Sequence, residues 1–335
     1  MKTTARLAWL VGIVIILCGA YYFYATHPGQ KTLTPVRAAV AQGAMTEIVA
    51  RLMIAEGIDK KYGLAVTFDF PKPGDFERNV LNGDYDITTI GPETVMKGEP
   101  QGVNLKVIGT VMPVTYLVIV PNDSPIQTLN DIKGKKMAML PKTTSAYNVS
   151  AVALRAAGID PDKDLYLAYG DLPSTISRLE SGEVDASITA YPLAAGLLSS
   201  GKYRVVDSFE SSWQKNEHGL PLPFVVMSVE NAWYQSHPAE TAAYLKAWYE
   251  TVNMIKTNPK IVETLTSYLA TNHLNTPQAT KLLEQNIMSD LFTTWNTQGV
   301  QAVQLYASKL KQYGLVDPKL PDITPHIVSP SALGF

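Results

Sequence analysis

The spacing of apolar and polar residues near the start of the chain alternates between the period of strands and that of helices. Apolar runs at 36–40, 64–70 and 85–90 predict buried strands. Between them, at 46–56 and 75–82, apolar residues recur every three or four positions, which predicts helices with one buried face. Strands and helices that alternate with short connections form a parallel sheet covered by helices. The sequence therefore predicts an α/β unit here.

The same alternation is repeated further along the chain. Strands are predicted at 105–111, 116–120, 137–140, 164–168, 186–189 and 224–229, and helices at 145–157, 173–181, 238–257 and most of 259–313. One short internal repeat occurs in both parts: Gly-Asp-Tyr-Asp at 83–86 and Gly-Glu-Val-Asp at 182–185 each separate a predicted helix from a predicted strand. The repeat predicts two lobes built on one plan.

Residues 1–25 have the parts of an export signal. Two cations, Lys2 and Arg6, precede an apolar run of about 11 residues and then small residues, as in a secretory signal cleaved near Ala20. The apolar stretch extends to about 19 residues, close to the roughly 20 that span a bilayer, so an uncleaved anchor is an alternative. Lipidation of Cys18 is a third. All three predict a body that is periplasmic or on the outer face of the cytoplasmic membrane.

Composition excludes several classes of protein. The chain has 335 residues, 46% apolar and 17% charged, which is typical of one large or two medium globular domains and not of a disordered chain. A formal net charge of −2 gives no basic surface for nucleic acid. The single cysteine, Cys18, lies in the leader, so the rest of the chain has no cysteine for a disulfide, a metal site or a nucleophile.

The sequence contains no recognisable catalytic constellation. The five histidines are dispersed, and the motifs His-Glu-x-x-His and Gly-x-Ser-x-Gly and the phosphate-binding loop do not occur. Asp84 and Asp86 form a close carboxylate pair, but acidic residues beside a turn are usually solvated. We therefore expect no enzymatic activity, no cofactor and no metal.

Small and hydroxyl-bearing residues stand where predicted strands end and helices begin, the edge at which open α/β sheets bind ligands. Amides and hydroxyls at helix N-termini can donate hydrogen bonds to a solute, or they can be ordinary helix caps. Four such loops from two lobes favour a ligand cleft. The candidate residues in these loops are Gln42, Met45, Thr46, Thr89, Gly91, Thr143, Thr144, Ser145, Thr189 and Tyr191.

Several phrases around these loops resemble the solute-binding subunits of ABC importers in the nitrate, sulfonate, taurine and thiamine-precursor group. Residues 129–138, Leu-Asn-Asp-Ile-Lys-Gly-Lys-Lys-Met-Ala, are similar to that family's L-x-D-L-K-G-K-K-V-A. Residues 179–186 resemble its L-x-S-G-E-V-D-A, with 83–86 as the copy in the first lobe. Residues 237–249 resemble its N-P-E-x-x-x-x-F-L-K-A, and the whole resemblance extends over about 36–315.

The resemblance implies a type 2 periplasmic-binding fold, in which two α/β lobes joined by two crossing strands close over a solute. Such proteins present the solute to a membrane permease and its ATPase subunit. The crossing strands would be 116–121 and 223–229. Lobe 1 would combine 34–119 with 225–335, and lobe 2 would be 120–224. Hinge closure is the expected motion.

The predicted site departs from the family pattern in ways that bear on the solute. Thr143 replaces a glycine, and Thr-Ala-Tyr-Pro at 189–192 replaces the family's W-E-P. Lys142 is the one cation expected nearby, which favours a neutral or singly charged organic solute with an apolar or aromatic part. The candidate walls of the cleft, which would alternatively pack in the core or at its rim, are Met45, Met112, Tyr116, Tyr147, Tyr169, Tyr191 and Phe224.

Two other functions stay open from the sequence. One is a membrane-anchored ligand sensor that keeps its leader and passes its bound state to a signalling partner. The other is an enzyme, since some relatives make a pyrimidine precursor of thiamine. Those relatives depend on a cysteine-rich motif, and the chain after Cys18 has no cysteine.

Overall fold

A computed structural model describes residues 32–190, 193–272, 274–287 and 291–335. The leader, with its predicted signal or anchor and Cys18, lies outside the described residues. Within them, no helix is long and apolar enough to cross a membrane. Pro35–Phe335 form one compact unit.

The strands form two five-stranded sheets. In chain order they are β1 (Thr34–Ala39), β2 (Leu64–Asp69), β3 (Ile87–Ile90), β4 (Leu105–Pro113), β5 (Tyr116–Pro121), β6 (Lys136–Met139), β7 (Tyr166–Tyr169), β8 (Ala186–Ala190), β9 (Tyr203–Ser208) and β10 (Pro223–Glu230). The first sheet has the order β2-β1-β3-β10-β4, and the second has the order β7-β6-β8-β5-β9. The two predicted α/β units thus each have their own sheet.

Helices cover these sheets. They are α1 (Met45–Ala55), α2 (Ile58–Lys61), α3 (Pro73–Leu81), α4 (Pro92–Gly98), α5 (Ser145–Ala156), α6 (Pro161–Asp164), α7 (Leu172–Glu180), α8 (Leu193–Ser199), α9 (Phe209–Asn216), α10 (Asn231–Ser236), α11 (Pro238–Thr257), α12 (Thr266–Thr271), α13 (Pro277–Ile287) and α14 (Thr297–Gln312). Apolar faces of these helices bury fully inaccessible side chains such as Trp213, Trp248 and Tyr306.

Each sheet is mixed, whereas the sequence predicted parallel sheets. β1 and β3 are parallel, but β10 runs antiparallel to β3 and β4. In the second sheet β6 is parallel to β7 and β8, while β5 is antiparallel to β8 and β9. Neither β5 nor β10 follows a helix that crosses over within its own sheet, and that connection is what makes neighbouring strands parallel.

The repeated sequence phrase has the same structural role in both sheets. The Asp86 carboxylate, just before β3, accepts a hydrogen bond from the Arg37 backbone N–H of β1 at 2.8 Å. The Asp185 carboxylate, just before β8, accepts from the Lys136 backbone N–H of β6 at 2.9 Å. Each aspartate N–H also donates to the carbonyl of the same partner. Asp86 is therefore not the solvated acid that its turn position predicted, and it is only 9% exposed.

The chain passes between the sheets beside the strands that were predicted to cross. β5 lies wholly in the second sheet and β10 wholly in the first, so the passages fall at 114–115 and 217–222. Here the Val114 backbone N–H donates to the Leu222 carbonyl at 2.9 Å, which links the two passages. Pro113 is paired with Pro223 in the adjoining strands.

Two parts of the chain differ from the predicted elements. β9 and α9, which follow the second-lobe helix α8, were not predicted. The segment 259–313 is less helical than predicted, since a short 3-10 turn at Pro259–Thr264 and non-helical residues at 272, 274–276 and 291–296 interrupt it. Proline begins both that turn and α13, because its fixed φ suits the first turn of a helix and its missing N–H ends the preceding one.

Candidate functional site

The predicted loops lie at the carboxyl ends of strands in both sheets. Gln42 follows β1 and Gly91 follows β3, and α1 and α4 begin shortly after them. Thr143 follows β6 and precedes α5. Parallel strands end at the same edge of a sheet, so each sheet carries its loops along one edge. Tyr191, after β8, lies outside the described residues.

Burial divides the predicted site residues into two groups. One group is buried: Met45, Thr46, Thr89, Gly91, Met112, Tyr116 and Thr189. The other group is exposed or half-buried: Gln42, Thr143, Thr144, Ser145 and Tyr169. Within the buried group, the Thr189 hydroxyl has no hydrogen-bond partner among the described residues. The second group supplies the side chains that reach solvent.

Local hydrogen bonds use part of the polar capacity of these loops. The Thr144 hydroxyl accepts from the Tyr147 backbone N–H at 3.1 Å and donates to the Pro141 carbonyl at 2.8 Å. It therefore caps α5, the alternative that the sequence left open. In the loop after β1, the Gly43 backbone N–H donates to Glu47 Oε2 at 2.6 Å. Solute contacts at these two positions compete with existing bonds.

The cation near the predicted cleft is paired within its own lobe. Lys142 Nζ lies 2.5 Å from Asp162 Oδ1, and this contact raises the pKa of the lysine. The Tyr147 hydroxyl donates to the same carboxylate at 3.1 Å, and burial raises the pKa of this phenol. The ring of Tyr147 packs edge-on against Tyr169, with ring centroids 6.2 Å apart. Lys142 is thus held by a carboxylate of its own lobe, which it shares with Arg155.

Aromatic rings pack where the chain passes between the sheets. The rings of Tyr116, at the start of β5, and Phe224, at the start of β10, have centroids 5.5 Å apart. Burial raises the pKa of Tyr116, so its hydroxyl stays protonated. Met112 lies near the end of β4, beside Val225 of β10. These predicted wall residues therefore flank the passages between the two sheets.

Glu93 is a candidate that the residue pattern did not single out. It stands in the first turn of α4, two residues after Gly91, and is fully buried. Neither carboxylate oxygen has a hydrogen-bond partner among the described residues. The carboxylate folds back over Gly91, where a Cβ atom would come within 2.7–2.8 Å of it. The sequence shows an acid after β3 but gives no signal that it is buried.

Helices that pack on the two different sheets contribute the side chains around Glu93. Burial is the largest influence and raises its pKa, whereas the nearby Ser145 hydroxyl at the start of α5 lowers it. The Tyr306 hydroxyl of α14 is also close, and burial together with the Glu93 carboxylate raises the pKa of that phenol. Gly91 and Ser145, predicted from different lobes, thus meet at one buried carboxyl group.

Two surface cavities lie away from this point. One, of about 690 Å³, is lined by Arg155, Gly158, Ile159, Asp160, Asp162, Lys163, Asp164 and Tyr313. The other, of about 530 Å³, is lined by residues of α1, β2 and the 264–268 segment, among them Arg51, Phe70 and Tyr268. Neither lining includes a predicted site residue. They do not mark the predicted cleft.

The lobe boundary carries polar groups that can contact a solute. Among the described residues, no group of three or more His, Cys, Asp or Glu side chains is placed to hold a metal ion. Hydroxyls, backbone amides and one buried carboxyl group offer hydrogen bonds and charge to a solute.

Comparison with known proteins gives a family and a fold. A family model described as "ABC transporter, phosphonate, periplasmic substrate-binding protein" matches residues 43–220, more than half of the chain. A protein of Escherichia coli (strain K12) named for binding aliphatic sulfonates is 29% identical over 126 residues, 37% of this chain and 39% of that protein. The chain therefore aligns with well under two thirds of that relative.

Two solved structures have the same fold. The periplasmic aliphatic sulphonate binding protein SsuA from Escherichia coli has a TM-score of 0.71 at 20% identity, with 88% of this chain and 92% of that chain covered. The alkanesulfonate-binding protein SsuA from Xanthomonas axonopodis pv. citri, bound to MOPS, has a TM-score of 0.69 at 16% identity, covering 88% and 98%. The predicted two-lobe type 2 periplasmic-binding fold is thereby confirmed, and these comparisons do not favour the sensor alternative. The chain belongs to the phosphonate family of periplasmic substrate-binding proteins of ABC transporters.

Proposed function

We propose that this protein captures a small organic solute between its two lobes and delivers it to a membrane permease driven by an ATPase subunit. The lobes would be the parts of the chain that carry the two sheets, 34–113 with 223–335, and 116–216. The observation that carries the proposal is the meeting of Gly91 and Ser145, from the two sheets, at the Glu93 carboxyl group. Loops from opposite lobes that meet at a polar group form the kind of site that closes around a ligand.

The leader supports an exported protein that works in the periplasm or at the outer face of the cytoplasmic membrane. A cleaved signal, a retained anchor and a lipid on Cys18 all lead to that location. The binding role needs no catalytic group, and we propose that the protein has no enzymatic activity.

The charge of the site bears on the solute. Relatives are named for sulfonates and phosphonates, which are anions. In this chain Lys142 is paired with Asp162, and Glu93 adds an acidic group at the lobe boundary. We therefore propose a neutral or singly charged organic solute with an apolar or aromatic part, contacted by loop residues including Thr89, Ser145 and Thr189.

A thermal unfolding screen of the purified full-length protein tests the proposal. Tryptophan fluorescence would be followed against alkanesulfonates, phosphonates, taurine, nitrate, pyrimidines, aromatic acids and organic amines. A solute that binds only the folded state raises the melting temperature in a concentration-dependent way. We expect such a rise for at least one class, and a flat response to every class would contradict the proposal.

A further inference from the structure

The carboxyl group of Glu93 is buried beside one loop of each sheet. Gly91 and Ser145 belong to loops at the carboxyl ends of β3 and β6, one from each sheet. The Glu93 carboxylate folds over Gly91, and the Ser145 hydroxyl is near enough to act on its pKa. The acid therefore occupies the boundary between the two sets of binding loops.

This carboxyl group also has unused bonding capacity. Both oxygens are buried and lack partners of good geometry among the described residues. Its neighbours Ser145 and Tyr306 carry hydroxyls, which do not neutralise a charge. The nearest cation on its own helix, Lys97, pairs with Glu77 at 2.8 Å. A buried carboxyl group without a cation is costly to ionise, and such a group in a binding site usually has a functional reason.

The charges on both sides of this boundary favour one class of solute. An anionic group beside Glu93 would meet a second negative charge, and Lys142 is engaged with Asp162. An ammonium group would instead form charge-assisted hydrogen bonds with the two free carboxylate oxygens. Like charges in a site that excludes water act against the wrong ligand as strongly as opposite charges favour the right one.

We propose that Glu93 is the specificity-determining residue of the site and that the solute carries a protonated amine. The inference deepens the proposed function and rests on it. Gly91 has a supporting role, because any side chain at that position would displace the carboxylate.

Proton linkage gives the inference a signature. Burial raises the pKa of Glu93, so at low pH the carboxyl group is protonated and cannot pair with an ammonium group. Affinity for an amine should therefore rise with pH and level off once the carboxyl group is ionised. The other groups facing Glu93 are Glu77 on α3, Lys97 on α4, Tyr306 on α14 and the non-titrating Ser145 on α5.

The experiment uses three probes of matched shape: benzylamine, benzyl alcohol and phenylmethanesulfonate. Their affinities for the purified full-length protein would be measured by titration calorimetry from about pH 5 to about pH 8, a range that spans raised carboxyl pKa values. We expect benzylamine to bind about tenfold tighter than either other probe at the upper end. Its affinity should fall as the pH is lowered, while that of benzyl alcohol stays constant.

Variants separate the role of the charge from that of the fold. Glu93→Gln should lose about tenfold in benzylamine affinity, keep its affinity for benzyl alcohol and lose the pH dependence. Gly91→Ala, which displaces the carboxylate, should weaken benzylamine binding in the same direction. Glu56→Gln makes the same chemical change at an exposed position and should bind like the parent.

Several outcomes would overturn the inference. They are tighter binding of phenylmethanesulfonate than of benzylamine, unchanged benzylamine affinity in Glu93→Gln, and amine affinity that rises as the pH falls. Amine affinity that rises as the pH falls would show that Glu93 is protonated and connects the two lobes without pairing with the solute. The absence of amine binding while another class of solute binds also overturns it and leaves the proposed function intact. Failure of every class in the thermal screen would instead contradict the proposed function.

Discussion

Glu93 makes the folded protein's stability depend on pH. Its pKa in the folded protein is raised by burial above the value of about 4.3 for an exposed glutamate. The folded state therefore holds this proton more tightly than the unfolded state does. The contribution to the free energy of unfolding is greatest below the unfolded pKa and is lost as the pH rises through the folded pKa. A group kept for binding can carry such a cost in the free protein.

Glu93→Gln should for this reason stabilise the free protein near neutral pH. The amide has the same shape and no charge to bury, so its melting temperature should exceed that of the parent at about pH 8 and approach it at about pH 4. Thermal unfolding at several pH values measures the difference. A difference that does not change with pH would show that Glu93 is not the titrating group.

Thr144 offers a test of the capping role seen in the second lobe. Removing its hydroxyl with Thr144→Val leaves the Tyr147 N–H without its acceptor and should lower the free energy of unfolding by about 1 kcal/mol. Thr143→Val changes the neighbouring exposed residue in the same way and should have little effect. Urea unfolding distinguishes the two, and equal losses would contradict the cap.

The sequence located these residues but could not show their surroundings. The pattern of hydroxyls and glycines placed Gly91, Thr144 and Ser145 after the carboxyl ends of strands, and they lie there in the fold. Their part in binding stays a prediction. Lys142, before α5, pairs with Asp162 in α6, after that helix. The burial of Glu93 depends on α14, a helix near the end of the chain. Local pattern carries no information about either contact.

The two aspartates of the repeated phrase, Asp86 and Asp185, set the register of the parallel strands. Asp86 accepts from the backbone N–H of Arg37, the fourth residue of β1. Asp185 accepts from the backbone N–H of Lys136, the first residue of β6. A slip of one residue would turn every side chain of the strand to the other face. The sequence repeat therefore has the same structural role in both lobes.

Substitution of these aspartates should destabilise both lobes. Asp86→Ala and Asp185→Ala should each lower the free energy of unfolding by about 1–3 kcal/mol, since each loses a charged hydrogen bond to a backbone amide. Asp86→Ala should cost more, because Asp86 also pairs with the Arg37 side chain at 2.7 Å. Asp84→Ala, at an exposed neighbouring position, is the control. A loss for Asp84→Ala as large as for Asp86→Ala would contradict this account.

Close packing of α11 on β4 sets a second test. A Cβ atom at Gly109 would lie 2.8 Å from Leu245 Cδ1 and from the Tyr249 hydroxyl, which donates to the Thr110 carbonyl. Gly109→Ala should lower the free energy of unfolding by about 1–3 kcal/mol through overpacking. Gly196→Ala, where a Cβ atom meets nothing within 4 Å, should be neutral or stabilising. Chemical unfolding compares them, and similar effects would contradict the packing argument.

Periodicity predicted most strands and helices but not their directions. Strong apolar runs such as β4 and β5 were clear from the sequence. β9 was missed because its residues are only partly buried and its pattern is weak. The antiparallel direction of β5 and β10 follows from the passage of the chain between sheets, a relation between distant segments that no local pattern contains.

For the whole molecule, the two sheets are linked by short passages and by side chains from distant helices. The Val114 N–H donates to the Leu222 carbonyl at the passages. Arg155 of α5 donates to the Tyr313 carbonyl at the end of α14 at 2.6 Å, and Lys309 of α14 pairs with Glu217 at 2.6 Å. Two short passages and polar contacts such as these are compatible with motion of the lobes about the passages.

Small-angle X-ray scattering, with and without a saturating solute that raises the melting temperature, tests the central claim that the lobes close over a solute. A solute that contacts both lobes stabilises the closed state, so the radius of gyration should fall on binding and the distance distribution should narrow. Identical scattering profiles for the free and saturated protein would contradict closure of the two lobes around the solute.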